Sequence, residues 1–125
     1  MKKHSNPVGW FELPVKEMKR AQAFYEHVFK ATLEVEKMGD CRMAFFPMKD
    51  KTYGTAGALV QGRDHKPSAT GTVLYFVVAD IEAALARAKE KGGRILLPKT
   101  DIGDYGFIGW FRDCEGNRVG LHAMK

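Results

Sequence analysis

Two side chains set within apolar, strand-like segments could carry proton chemistry, Glu12 and His122, with the Tyr75 phenol a further polar group in such a segment. A carboxylate and an imidazole within reach of one another work as a general acid–base pair, and burial raises the pKa of a carboxylate towards the range that suits a base. The plainer use of the same residues is structural. Glu12 and His122 then hydrogen-bond each other, or backbone, at the rim of a pocket. The other histidines carry less: His27 falls late in a helical segment and is expected at the surface, His4 lies in a terminal tail, and His65 in a connecting segment. Cys41 and Cys114 form no CxxC pair and have no metal-ligand spacing, so free thiols in a reducing cytosol are expected.

These residues need a scaffold, and the pattern of apolar residues supplies one. Val8 to Val15 is apolar, with Pro14 near its end where a strand edge tolerates it. Lys16 to Phe29 places Met18, Ala21, Tyr25 and Val28 at helical spacing, widened by Phe24 and Phe29. Strand-like segments follow at Ala31 to Lys37, Arg42 to Met48 and Thr55 to Gln61. Phe45 and Phe46 must point to opposite faces of one strand. Gly62 to Gly71, with Pro67, Ser68 and several charges, reads as a linker.

Thr72 to Val78 is a near-continuous apolar run, as a buried strand would be. Asp80 is placed to cap a helix whose inward stripe is Ile81, Ala84, Leu85 and Ala88, and Gly92-Gly93 to end it. Strands are expected at Arg94 to Leu97, Gly106 to Phe111 and Arg118 to Ala123, the last two joined by the turn Asp113-Cys114-Glu115-Gly116-Asn117. Trp110, with Phe107 and Phe111, is assigned to core or interface, and Asp104-Tyr105-Gly106 to a plain loop.

Bulk properties narrow the class. The chain has 125 residues, 45% hydrophobic and 28% charged, which is one globular domain's worth. The net charge of +5 is not gathered into a patch, since basic and acidic residues interleave, as in Lys16-Glu17-Met18-Lys19-Arg20. No nucleic-acid partner is therefore expected. No apolar run approaches the roughly 20 residues of a membrane helix and no signal peptide opens the chain, so neither a membrane partner nor export is expected, and the location expected is cytoplasmic.

The order of elements repeats. Trp10-Phe11-Glu12-Leu13-Pro14-Val15 lines up with Val73-Leu74-Tyr75-Phe76-Val77-Val78, and Ala58 with Gly120. The fold expected is α+β: two tandem βαβββ modules forming a curved, partly open mixed β-sheet cup. The boundaries are about 7–61 for the first module, 62–71 for the linker and 72–124 for the second. An ordinary α+β sandwich with accidental periodicity is the alternative.

In this order and spacing, three stretches resemble the vicinal-oxygen-chelate superfamily, that is, glyoxalases, bleomycin-resistance proteins and dioxygenases. They are Leu13-Pro14-Val15 through Ala23-Phe24-Tyr25-Glu26-His27-Val28-Phe29, then Val77-Val78-Ala79-Asp80-Ile81 through Gly92-Gly93, and the hairpin Phe111 to Val119. The nearest look-alikes are small bacterial proteins related to lactoylglutathione lyase.

Metal-using members of that family hold one divalent ion with four His and Glu side chains from the first and last strands of each module. The resemblance carries those positions onto Trp10, Ala58, Val73 and Gly120, and none offers a lone pair to a metal. It therefore implies no metal and no cofactor, as in bleomycin-resistance proteins that sequester a ligand. With strand alternation it also gives an inward set of Trp10, Glu12, Ala58, Val60, Val73, Tyr75, Gly120 and His122. Apolar walls with a few polar groups suit a small molecule.

Three functions follow as expectations. The first is metal-independent binding of a small aromatic or hydrophobic molecule. The second is a lyase or isomerase using Glu12 and His122 for proton transfer, or a shifted metal site completed by a partner chain. The third is an interaction module with a self-filled cup. The resemblance also implies a homodimer.

Overall fold

The computed structural model describes residues 6–125. The basic tail with Lys2, Lys3 and His4 lies outside them. The chain forms β1 (Phe11–Pro14), α1 (Met18–Phe29), β2 (Glu34–Met38), β3 (Cys41–Phe45) and β4 (Gly57–Gln61). After the linker come β5 (Leu74–Val77), α2 (Ile81–Glu90), β6 (Arg94–Asp101), β7 (Phe107–Arg112) and β8 (Arg118–Ala123).

Each module makes its own four-stranded mixed sheet. The order is β1-β4-β3-β2 in sheet A and β5-β8-β7-β6 in sheet B. In both, the first strand runs parallel to the last and the other pairs are antiparallel. The repeat seen in the sequence is thus a repeat of topology, and the tandem βαβββ architecture is present.

Alternation along the strands divides each sheet into two faces. Leu13, Ala44 and Leu59 of sheet A and Phe111, Val119 and Leu121 of sheet B point into one shared core, where they meet Phe24, Tyr25 and Val28 of α1 and Ile81, Ala84 and Leu85 of α2. The helices also pack against each other. Aromatic rings join the modules: Phe24 lies 5.7 Å from Phe111 and Phe29 lies 4.6 Å from Phe76. Phe46 belongs to this core, whereas Phe45 lies on the other face of sheet A.

Local signals explain most element ends. Asp80 accepts a hydrogen bond from the Ala83 N–H at 3.0 Å and caps α2. Lys30 adopts the left-handed conformation (φ 50°) that closes α1. The Glu26 carboxylate then accepts the Leu33 N–H, which holds residues 31–33 as a connector, so β2 starts at Glu34 rather than Ala31. β6 runs on to Asp101 through Pro98. It does so as the edge strand of sheet B, with register breaks on either side of Leu97.

Two expectations need correction. β5 is not a strand buried on both faces: Tyr75 and Val77 are 40% and 73% exposed. β5 is an edge strand, with helix on one side only and β8 as its sole neighbour. And α1 starts at Met18, not Lys16, because Lys16 and Glu17 hold their N–H groups out to a distant side chain. Glu17 makes no side-chain cap there, and the Met18 N–H is instead accepted by the Gln61 side chain of β4 at 2.7 Å. The Glu115 carboxylate, from the β7–β8 turn of the second module, accepts the Lys16 and Glu17 N–H groups and the Arg20 guanidinium.

The rest of that turn completes a clasp between modules. Asp113 accepts hydrogen bonds from the Tyr25 hydroxyl at 2.5 Å and from the Glu115 and Asn117 backbone N–H groups. The Asn117 amide donates to the Pro14 carbonyl at 2.7 Å and accepts from the Ser68 N–H of the linker. Asp113, Glu115 and Asn117 are all buried, so every lost partner costs desolvation. Tyr25→Phe is expected to lower stability by about 2 kcal/mol in urea unfolding, the usual cost of a buried bond to a charged group.

Burial pushes the Asp113 carboxyl above its ordinary range, against the pull of its hydrogen-bond donors. The folded chain therefore binds this proton more tightly than the unfolded one. Its contribution is complete below about pH 4, the ordinary aspartate value, and is lost as pH rises through the raised folded value. The midpoint of thermal unfolding should show this fall in the wild type, and Asp113→Asn should flatten it.

Candidate functional site

The faces turned away from the helices carry the residues singled out by the sequence. On sheet A these are Trp10, just ahead of β1, then Glu12, Ala58 and Val60, with Met43 and Phe45 beside them by register. Ala58 and Val60 are fully buried in a small cluster with Met43, separate from the main core and packed by Cys41 and Phe45. The Trp10 ring lies 6.1 Å from Phe45 and remains 39% exposed. Glu12 pairs with the His65 ring at 3.1 Å. This use of His65 was not foreseen, because the path of the linker over sheet A is set by tertiary packing and leaves no local signal.

On sheet B the matching face carries Tyr75, Gly120, His122 and Trp110, with Val73 just ahead of β5. Gly120 is explained directly. A Cβ there would come within 2.5 Å of the Tyr75 ring, so the ring lies over the glycine. The Tyr75 hydroxyl accepts the Trp110 indole N–H at 2.8 Å. Together the two rings form an aromatic shelf. His122 donates from Nε2 to the Tyr105 carbonyl at 2.6 Å, which ties the 103–105 turn to β8 and fixes the ring's tautomer.

The structure therefore brings Trp10, Glu12, Ala58 and Val60 together on one sheet and Val73, Tyr75, Gly120 and His122 on the other. It does not join the two groups. Glu12 and His122 have separate partners and share no hydrogen bond. Tyr75 and His122 do line an open cleft of about 1200 Å³ between the modules, over Phe11, Phe29, Phe46 and Phe76. Trp10, Glu12, Ala58, Val60 and Gly120 do not line it.

At Trp10, Ala58, Val73 and Gly120, where the resemblance would place the family's ligands, the donor set does not fit a metal: an indole, two alkyl groups and a glycine offer no lone pair. Among the described residues no three His, Cys, Asp or Glu side chains gather elsewhere in a metal-holding group. The groups that burial shifts upward, Tyr25, Asp113 and Cys114, all sit in the clasp. Burial pushes the Cys114 thiol up to about 12, which keeps it protonated and a poor nucleophile. The perturbed groups thus lie together in the joint between the modules.

Comparison with known proteins agrees with this architecture. The model of the glyoxalase/bleomycin resistance protein/dioxygenase superfamily matches residues 8–121. The chain belongs to that superfamily. A glyoxylase/bleomycin resistance protein/dioxygenase domain from Frankia sp. EAN1pec superposes with a TM-score of 0.73 at 14% identity, covering 97% of this chain and 99% of that one. A glyoxalase/bleomycin resistance protein from Albidiferax ferrireducens T118 gives 0.70 at 15% identity, covering 94% and 99%. A V278E mutant of glyoxalase I from Zea mays gives 0.67 at 21% identity and covers 94% of this chain but 46% of its own. The chain thus spans about half the length of the maize enzyme. At these identities the likeness establishes the fold. No curated protein matches the chain at a significant level.

The shelf makes a sharp prediction. Gly120→Ala must push the Tyr75 ring aside, and because that ring is partly exposed the fold should survive with a loss of about 1 kcal/mol. The Trp110 indole N–H then loses its acceptor. Its resonance should shift as it does in Tyr75→Phe, and an unchanged resonance in Gly120→Ala would contradict the geometry.

Proposed function

We propose that this protein binds a small aromatic or hydrophobic molecule without a metal ion. One observation carries the reading. At a position where metal-using relatives are expected to present a ligand, this chain has Gly120 roofed by the Tyr75 ring, itself bonded to Trp110. That exchanges a metal ligand for an aromatic surface. Flat rings with a polar handle suit a planar, largely apolar ligand.

The same reading favours a homodimer. The two walls of the expected cup lie on faces that face away from the helices, and within one chain they do not close on each other. A second copy that laid its sheet A against sheet B of the first would bring Trp10 and Glu12 opposite Tyr75 and His122. Binding rather than proton transfer is the reading taken, because Glu12 is engaged by His65 and His122 by Tyr105. A cytoplasmic setting is part of the proposal. Among the described residues no helix is long and apolar enough to cross a membrane.

The test is titration with N-phenyl-1-naphthylamine, a neutral probe whose fluorescence rises in apolar sites. A saturable rise, unchanged by EDTA and weakened about tenfold in Tyr75→Ala, is the expected result. Binding that disappears with EDTA, or no binding at all, would refute the proposal.

A further inference from the structure

One end of sheet B's open face has no counterpart in the function proposed so far. Arg94 of β6 pairs in register with Arg112 of β7, and Arg112 with Arg118 of β8. Directly opposed residues of an antiparallel pair share a face, so three guanidinium groups stand in a row across three strands. Like charges placed this way oppose strand pairing. The ordinary remedy is a carboxylate on the same face, and here there is none. The face-sharing partners by register on β5, β7 and β8 are Tyr75, Val77, Ile108, Trp110, Gly120 and His122. Among the described residues none of the three arginines is in an ion pair.

The row is also partly preset. The Arg118 guanidinium lies 5.1 Å over the Trp110 ring, and one of its terminal nitrogens donates to the Gly71 carbonyl at 2.9 Å. Its Nε is buried yet has no hydrogen-bond partner. That nitrogen is closed off by protein, so an arriving oxyanion would meet the guanidinium's terminal N–H groups. Trp110 then continues to Tyr75 through their hydrogen bond, so the row of cations leads straight onto the aromatic shelf.

We infer that the open face of sheet B binds an organic anion: its carboxylate or phosphate sits on Arg94, Arg112 and Arg118, and its aromatic part lies over Trp110 and Tyr75. This names the ligand class for the site proposed above and rests on that reading. Guanidinium groups match both oxyanions through paired N–H donors. Ligand and arginines thus supply each other's missing partner.

The experiment is calorimetric titration at low salt with phenyl phosphate, benzoate, inorganic phosphate and phenol, on the wild type and on Arg94→Gln and Arg112→Gln. Both arginines are exposed, so the variants should fold. The inference predicts saturable binding of phenyl phosphate or benzoate, the better of the two identifying the headgroup. Inorganic phosphate and phenol should each bind at least tenfold more weakly. Each substitution should weaken aromatic-anion binding at least tenfold. Without anion, the variants should melt no lower than the wild type, because a like-charge pair has been removed.

Anion binding equal in wild type and variants, or no anion binding, would overturn the inference. The neutral naphthylamine probe separates the two claims. If it binds while the anions do not, this inference alone fails; if it also fails to bind, the proposed function falls as well.

Discussion

The arrangement of this molecule depends on a carboxylate borrowed across the repeat. The first helix begins without a side-chain cap from Glu17; Gln61 accepts the Met18 N–H, and the Lys16 and Glu17 N–H groups that lead into the helix are met by Glu115, 99 residues downstream of Lys16. The positive end of a helix favours an anion, and here the anion is delivered by the β7–β8 turn of the other module. Asp113 and Asn117 of the same turn reach Tyr25 and Pro14. Three buried polar residues therefore do two jobs at once. They satisfy their own turn, and they fix how one sheet sits relative to the other. Because each is buried, a different packing of the modules would strand polar groups without partners, at a cost of several kcal/mol in sum.

That joint decides which faces are left for function. Both helices and most of the inner face of each sheet are spent on one core, so the outer faces and the cleft between the modules remain open. Alternation then places Glu12, Trp10, Tyr75, Trp110, His122 and Gly120 there as a consequence of register. A shift of one residue in β1 or β5 would exchange these residues with Phe11, Leu13, Leu74 and Phe76 and would empty the core. The chemistry of the open faces is thus as firmly set as the core itself. On sheet B it grades from a row of arginines to a pair of hydrogen-bonded aromatic rings.

Much of this was legible from local patterns. The helical stripe Met18, Ala21, Tyr25 and Val28, the Asp80 cap and the opposed faces of Phe45 and Phe46 depend on near neighbours, and each lies where those patterns put it. The tandem order of elements announced the matching sheet topologies. What could not be read depends on partners remote in sequence. The Glu115 cap, the pairing of Glu12 with His65 and the ring of Tyr75 over Gly120 join residues 45 or more positions apart. The apolar run at β5 misled for a related reason. Composition reports that a strand is apolar, but only topology shows it to be an edge with one face uncovered.

The central claim is that the four positions the resemblance assigns to a metal hold none, and that one of them, Gly120, lies under an aromatic ring instead. Its most direct test is elemental analysis of untagged protein equilibrated with nickel, zinc, iron and manganese and then freed of excess ions, combined with anomalous diffraction from crystals of the same sample. The account predicts far less than one ion per chain and no anomalous peak among Trp10, Ala58, Val73 and Gly120. One retained ion per chain, with its peak between those residues, would contradict it.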